Sequence, residues 1–254
     1  MFMRLVHVRY KPESLGRIQK IYDTVIIPRL QQVEGCLFVG AIRNEQHPDE
    51  GISMTLWDTW EHADAYGRGE VFKELLGKVS PFFAESEEWR IQLSEAMELE
   101  VQPQVEEAVV KSYKTLVKSD SAISPEDTSG MLYVRIISLK IQAGKMAEFK
   151  KIYEAEIIPA ICAMSGCRFS FLTESTEAEN EALCLSIWDN KRSADQFEKS
   201  GHFDQLKHKV EHTFNELIHW KMALERQYDA QVVTSEDITQ KGYDIVTGKS
   251  FRPT

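Results

Sequence analysis

Tyr22-Asp23-Thr24-Val25-Ile26-Ile27-Pro28 is written again, 131 residues later, as Tyr153-Glu154-Ala155-Glu156-Ile157-Ile158-Pro159. The correspondence extends in both directions at the same offset. Gly35-Cys36-x-Phe38 matches Gly166-Cys167-x-Phe169, Trp57-Asp58 matches Trp188-Asp189, and Ala63-Asp64 matches Ala194-Asp195. Phe72, Leu75, Lys78, Val79 and Phe83 match Phe203, Leu206, Lys209, Val210 and Phe214, and Trp89 matches Trp220. Residues from Met3 to Glu95 thus recur, without a gap, from Val134 to Arg226, and roughly a quarter of the pairs are identical. A repeat of about 95 residues exceeds any solenoid unit and has the size of a small domain. The chain is two copies of one domain.

Each copy has its own order of elements. Leu5 to Tyr10 alternates, with Val6, Val8 and Tyr10 on one face and Leu5, His7 and Arg9 on the other, which is strand periodicity. Ile18, Ile21, Tyr22, Val25, Ile26 and Leu30 then follow helical spacing. Pro28 and Pro159 fall inside the two helical stretches, and a proline there removes a donor and crowds the preceding turn, so a kink or break is expected. Gly35 and Gly166 suit helix C-termini. Cys36 to Arg43 and Ile52 to Trp57 read as strands two and three, Trp60 to Glu85 as a helix broken near Gly67 and Gly69, and Trp89 to Leu93 as a last strand. In strand three, Ile52, Met54 and Leu56 form the apolar face expected to meet the helices. The order β-α-β-β-α-β is that of the ferredoxin-like split βαβ unit, an α+β class. Because the copies are tethered, their antiparallel sheets are expected to pack together.

The domain boundaries read as 1–96 for the first repeat, 97–129 for its C-terminal extension and a linker, 130–227 for the second repeat, and 228–254 for a second extension. The extensions echo each other: Lys111-Ser112-Tyr113 returns as Lys241-Gly242-Tyr243. A repeated extension is expected to dock. Ser119 to Gly130, rich in Ser, Asp and Pro, reads as the flexible joint.

Composition narrows the partners. Lys plus Arg is 30 against 40 Asp plus Glu, a formal charge of −10, which speaks against nucleic acid or an anionic membrane surface. No apolar run approaches the ~20 residues of a membrane span. Arg4, His7 and Arg9 interrupt the apolar core that a signal peptide would need. Cys36, Cys162, Cys167 and Cys184 include no CxxC pair and read as thiols in a reducing cytoplasm. P-loop, GxGxxG and GxSxG patterns do not occur.

With Gly35-Cys36 and Gly166-Cys167 opening the second strands, Trp57-Asp58 and Trp188-Asp189 ending the third, and Ser200-Gly201-His202-Phe203 (Gly69-Glu70-Val71-Phe72 in the first copy) opening the main second helix, the chain resembles the antibiotic biosynthesis monooxygenase family of the dimeric α/β-barrel superfamily. The resemblance covers both copies and not the extensions. It implies two ferredoxin-like domains closed into a pseudo-dimeric barrel within one chain, with a ligand pocket between sheet and helices. It also implies oxidation of a small aromatic or quinol-like substrate by dioxygen without metal or flavin, the substrate's own carbanion reducing oxygen. The alternative on the same fold is a non-catalytic ligand-binding or assembly module. A third activity of the superfamily, haem degradation, would need an Asn, a Trp and a His where this chain has Val6 and Ile137, Tyr66 and Phe197, and Leu76 and Lys207.

Cofactor-free oxidation asks for aromatic walls and a base. Tyr66, Phe72 and Phe83 are placed to line a first pocket, and Phe197, Phe203 and Phe214 a second. His7, mid-strand in the first copy alone, is the candidate general base, and Tyr66 is the second candidate catalytic residue. Trp57, Trp188 and Lys207 complete the candidate substrate-binding set. His208-Lys-Val-Glu211-His212 matches a zinc-protease spacing, yet its histidines fall opposite the stripe of Phe203, Leu206, Val210 and Phe214 and are expected to face solvent. No cofactor and no metal is expected. Pairing of the repeats within the chain leaves room for a further homodimer.

Overall fold

A computed structural model describes residues 1–93, 99–105, 108–119, 132–215 and 238–251. The chain divides into two compact units. The N-terminal unit comprises residues 4–111 and 246–254, and the C-terminal unit residues 1–3 and 112–245.

The N-terminal unit begins with β1 (Phe2–Arg9) and then a helix in three parts: α1 (Leu15–Ile21), a π-helical turn (Tyr22–Ile26) and α2 (Ile27–Leu30). β2 (Cys36–Asn44) and β3 (Glu50–Trp57) pair antiparallel, Val39 opposite Thr55 and Ala41 opposite Ser53. α3 (Trp60–Arg68) and α4 (Glu70–Val79) follow, broken as expected at Gly69, whose backbone is extended. β4 (Glu85–Leu93) and β5 (Leu99–Val105) come next, and β6 (Val109–Lys118) leads out of the unit. The C-terminal unit repeats the plan with β7 (Tyr133–Lys140), α5 (Met146–Ile152), a second π-helical turn (Tyr153–Ile157), α6 (Ile158–Cys162), β8 (Cys167–Ser175), β9 (Glu181–Trp188), α7 (Lys191–Lys199), α8 (His202–Val210) and β10 (Ile238–Ser250). The fold is α+β, built on two ferredoxin-like units. Followed from neighbour to neighbour, the hydrogen-bonded order is β1-β3-β2-β10-β7-β9-β8-β6, the closed barrel order expected of the repeat.

Local chemistry explains the matched elements. Asn44 and Ser175, at the same position in the two copies, close the hairpins: Asn44 Oδ1 accepts the N–H groups of Gln46 and His47 at 2.9 and 3.3 Å, and Ser175 Oγ those of Glu177 and Ala178 at 3.2 and 3.0 Å. Thr59 and Asn190 cap α3 and α7, accepting the N–H of His62 at 3.2 Å and of Ser193 at 3.0 Å. Gly35 and Gly166 have φ of +76° and +86°. A Cβ at Gly35 would also run into the side chains of Asp58 and His62, which hydrogen-bond each other at 2.7 Å. Gly35→Ala is therefore expected to lower stability by about 1–3 kcal/mol, read as a shifted urea midpoint.

Three expectations are revised. At Pro28 and Pro159 the helices run on without stopping. Each widens into a π turn just before the proline, where the hydrogen-bond register shifts by one residue and the missing donor does no harm. The segment Trp89–Leu93 is a strand, but β4 pairs with β5 in a separate two-stranded sheet. The place beside β1 is held instead by β6. The repeated extensions thus dock as strands: β6 pairs with β8 through Tyr113 opposite Ser175, and β10 pairs with β7 through Tyr243 opposite Val134. Their matched tyrosines, Tyr113 and Tyr243, are both buried. The second copy's counterpart of β4, with Trp220, and the joint at 120–131 lie outside the described residues.

The third revision concerns strand faces. Ser53 and Thr55 of β3 look toward the helices, and Ile52, Met54 and Leu56 look away. That far face is buried all the same, at 2%, 2% and 4% exposure. β9 behaves alike, with Cys184 toward the helices and Leu183, Leu185 and Ile187 buried on the far face. With both faces buried, hydrophobicity does not say which one the helices cover. Among the described residues no helix is long and apolar enough to cross a membrane.

Candidate active site

Between sheet and helices of the C-terminal unit lies a cavity of ≈190 Å³. β7 gives it Ile137 and Leu139, and β9 gives Cys184. The first helix contributes Phe149, Tyr153, Ile157 and Ile161, four residues apart. In a plain α-helix that spacing drifts around the axis, and the wide π turn from Tyr153 to Ile157 holds all four on one face. α7 supplies Phe197, α8 supplies Phe203, Leu206, Lys207 and Val210, and Phe214 closes the end. Gln240 comes from β10, where it pairs with Ile137.

The walls are aromatic. Phe149 lies 5.7 Å from Tyr153 and, edge-on, 6.3 Å from Phe214. Phe197 meets Phe203 edge-on at 6.1 Å. Such edge-to-face arrangements leave ring faces and edges available to a bound ring. Polar groups are few. Tyr153 Oη sits 3.3 Å from Ser170 Oγ and donates to the Phe171 carbonyl at 3.5 Å. Burial pushes its pKa well above the usual tyrosine value, and burial pushes the Cys184 thiol up to about 12. Both stay protonated at neutral pH and neither is a base there. Gln240 donates to Glu198 at 3.4 Å, and Glu198 pairs with the buried Arg135 at 3.0 Å. Among the described lining residues Lys207 is the one that is charged.

The corresponding space in the N-terminal unit is ≈40 Å³, about the room of one water. The lining is homologous: Tyr22 for Tyr153, Phe72 for Phe203, Tyr66 for Phe197, and Leu76 for Lys207. One pair of exchanges accounts for much of the closure. Tyr10, at the position of Ile141, turns its ring into this space, 6.2 Å from Phe83. Gly51 makes room, since a Cβ there would strike that ring, and the second copy has Ala182 at the same place. A broader depression of ≈420 Å³ beside Lys140, Gln142, Glu179 and Asn180 has no aromatic ring in its lining.

The profile of the antibiotic biosynthesis monooxygenase family matches residues 1–77 and, a second time, residues 132–209. The chain belongs to that family. Among curated proteins none matches. Three solved structures resemble the whole of this duplicated family member. A Lactobacillus acidophilus NCFM protein described as a "putative monooxygenase" gives a TM-score of 0.66 at 10% identity, over 98% of this chain and 95% of that one. A Fusobacterium nucleatum protein of the same description gives 0.66 at 9%, over 98% and 94%. An "anthrone oxidase-like protein" gives 0.57 at 13%, over 100% and 94%. At these identities the likeness establishes the fold alone.

The site residues suggested by sequence fall into three groups in this monooxygenase-family fold. Phe197, Phe203 and Lys207 line the larger cavity, and Tyr66, Phe72 and Phe83 the smaller. Trp57 and Trp188 line neither. Both are completely buried, stacked behind Tyr66 at 4.8 Å and behind Phe197 at 5.4 Å, with their indole N–H groups donating to Thr55 and Ser186 at 2.9 Å. His7, half-buried on the strand face opposite Val6 and Val8, also lines neither cavity. His208 and His212 are solvated, at 58% and 49% side-chain exposure, and bond Glu211 and Glu148. His219, seven residues beyond His212 in the sequence, lies outside the described residues. Among the described residues no cluster of three His, Cys, Asp or Glu is placed to hold a metal.

Phe149, Tyr153, Cys184 and Gln240 escaped the sequence reading. Tyr153 had a signal, being identical in both copies ahead of the proline. Gln240 had none, because only the pairing of β10 with β7 brings it there.

Proposed function

We propose that the second repeat is the active one and oxidises a small aromatic or quinol-like molecule with dioxygen, without a bound cofactor. The observation that carries this reading is the contrast between the two repeats: an aromatic-walled cavity of ≈190 Å³ in the second and ≈40 Å³ in the first. Family membership supplies the reaction class. An electron-rich hydroxyarene, as its anion, passes an electron to dioxygen. The pair joins through a new C–O bond to a hydroperoxide, and loss of water leaves a carbonyl. Hydroxyarene plus O2 thus gives quinone plus one water. The protein's part is to bind the ring, exclude bulk water and favour the anion. His7 lines neither cavity and is assigned no step. The free thiols of all four cysteines suit a reducing compartment and agree with a cytoplasmic setting.

The alternative, a ligand-binding module without chemistry, draws on the lack of any carboxylate or imidazole among the described lining residues. An oxygen electrode separates the two. With single-ring hydroxyarenes, oxygen uptake matched one-to-one by quinone absorbance is expected, unchanged by His7→Ala. Binding seen by tryptophan fluorescence without uptake would instead establish the non-catalytic module.

A further inference from the structure

What the second repeat's cavity selects follows from its lining, and rests on that cavity being the ligand site. We propose that its occupant is a single-ring aromatic monoanion, with the ring among the phenylalanines and the anionic group on Lys207.

Size sets the first limit. A protein cavity of about 150 Å³ accommodates benzene. At ≈190 Å³ the space takes one ring with small substituents and is too small for a three-ring system. The walls set the second limit. Phe149, Tyr153, Phe197, Phe203 and Phe214 present rings to the interior, a lining that favours an aromatic guest over an aliphatic chain of equal volume.

Charge sets the third. Lys207 is half-buried on α8, in a lining otherwise made of apolar residues, Tyr153, Cys184 and Gln240. Its ammonium forms no hydrogen bond or ion pair with any described residue. The carboxylates one turn away on either side do not serve it: Asp204 makes no ion pair with any described residue, and Glu211, just past the end of α8, is held by His208 at 3.0 Å. Neighbouring lysines are used differently, as Lys209 pairs with Glu156. A cation at an apolar cavity with no internal partner is complementary to an anion that the ligand brings. The closed first repeat has Leu76 at this position. Cation and cavity occur together in one copy and are missing together from the other. The same pairing would stabilise the phenolate or enolate that oxidation requires, and no described lining side chain is available as base.

Isothermal titration of the full chain tests the assignment with 4-hydroxybenzoate, its neutral isostere 4-hydroxybenzamide, octanoate and anthracene-2-carboxylate. The parent is expected to bind 4-hydroxybenzoate about tenfold more tightly than the amide, the size of one charge-assisted contact. It should bind the two oversized or aliphatic anions more weakly than the benzoate. Lys207→Met should abolish the preference for benzoate over amide while leaving amide binding and the melting temperature unchanged, and Lys207→Arg should restore it. Equal binding of acid and amide by the parent, retention of the preference in Lys207→Met, or stronger binding of octanoate or the anthracene acid would each overturn the proposal. Its failure is separable from failure of the oxidation reading. Anion binding without oxygen uptake would end only the latter, and uptake with a neutral polycyclic substrate would end only the former.

Discussion

Trp188→Ala is expected to destabilise the protein by about 3–5 kcal/mol, the range for deleting a large buried aromatic side chain. Trp188 has no exposed surface, stacks on Phe197 at 5.4 Å and donates its indole N–H to Ser186. Alanine forfeits the burial and stacking and opens a void that neighbours refill only in part. For a protein of this size the melting temperature should fall by roughly 10 °C. Trp188→Phe keeps most of the packing and loses the hydrogen bond, so its cost should be about 1–2 kcal/mol. A second readout follows from position. Phe197 is a wall of the cavity, and its support is gone in Trp188→Ala, so ligand affinity should fall in the alanine variant more than in the phenylalanine one. A loss below 1 kcal/mol in urea unfolding would show that the buried Trp188 side chain does not support the core as argued.

The second large effect concerns closing the open cavity with the first repeat's own parts. Ile141→Tyr combined with Ala182→Gly reproduces the Tyr10–Gly51 arrangement at a matched backbone. Tyr10 and Ile141 each donate their N–H to the corresponding loop carbonyl, of Asp49 and Asn180, at 2.7 Å, and each bridges to the corresponding phenylalanine, Phe83 or Phe214. The double variant should fold, since the first repeat already does so with this pair. Excluding a buried aromatic ring removes about 3 kcal/mol of binding, so affinity should drop more than 100-fold. Ile141→Tyr alone should be destabilising, because its ring meets the Ala182 methyl as a Cβ at Gly51 would meet Tyr10. The reciprocal change, Tyr10→Ile with Gly51→Ala, should open space in the first repeat. Unimpaired binding in the closed double variant would place the ligand elsewhere.

Much of this molecule could be read from its residues, and the unread parts share a physical cause. The repeat, the strands, the glycine turns and the break at Gly69 are local or self-referential signals, and the chain states each of them twice. Hydrophobicity does not assign strand faces where burial is two-sided: Ile52, Met54 and Leu56 look core-like because they are core, yet Ser53 and Thr55 look toward the helices. The π turns were hidden because a proline announces a lost donor and not how the backbone absorbs it. The difference between the cavities rests on size at two positions distant in sequence, Ile141 with Ala182 against Tyr10 with Gly51. Gln240 reaches its site through strand pairing across a hundred residues. Aromatics on helices were legible as wall material, while Trp57 and Trp188, equally aromatic, are one layer further back.

The strand β10 has a consequence for how the protein comes into being. Its first part, to Ile245, belongs to the C-terminal unit, and residues from Val246 belong to the N-terminal one, where Phe251 donates its backbone N–H to Leu37 at 2.7 Å. Met1–Met3 is assigned in the opposite sense, and the Met1 carbonyl accepts from Thr115 at 3.1 Å. During translation the earlier half therefore waits, one strand short, until residues 246–251 have left the ribosome. A polypeptide cut between the two repeats is expected to yield two fragments, each lacking a short segment that the other carries.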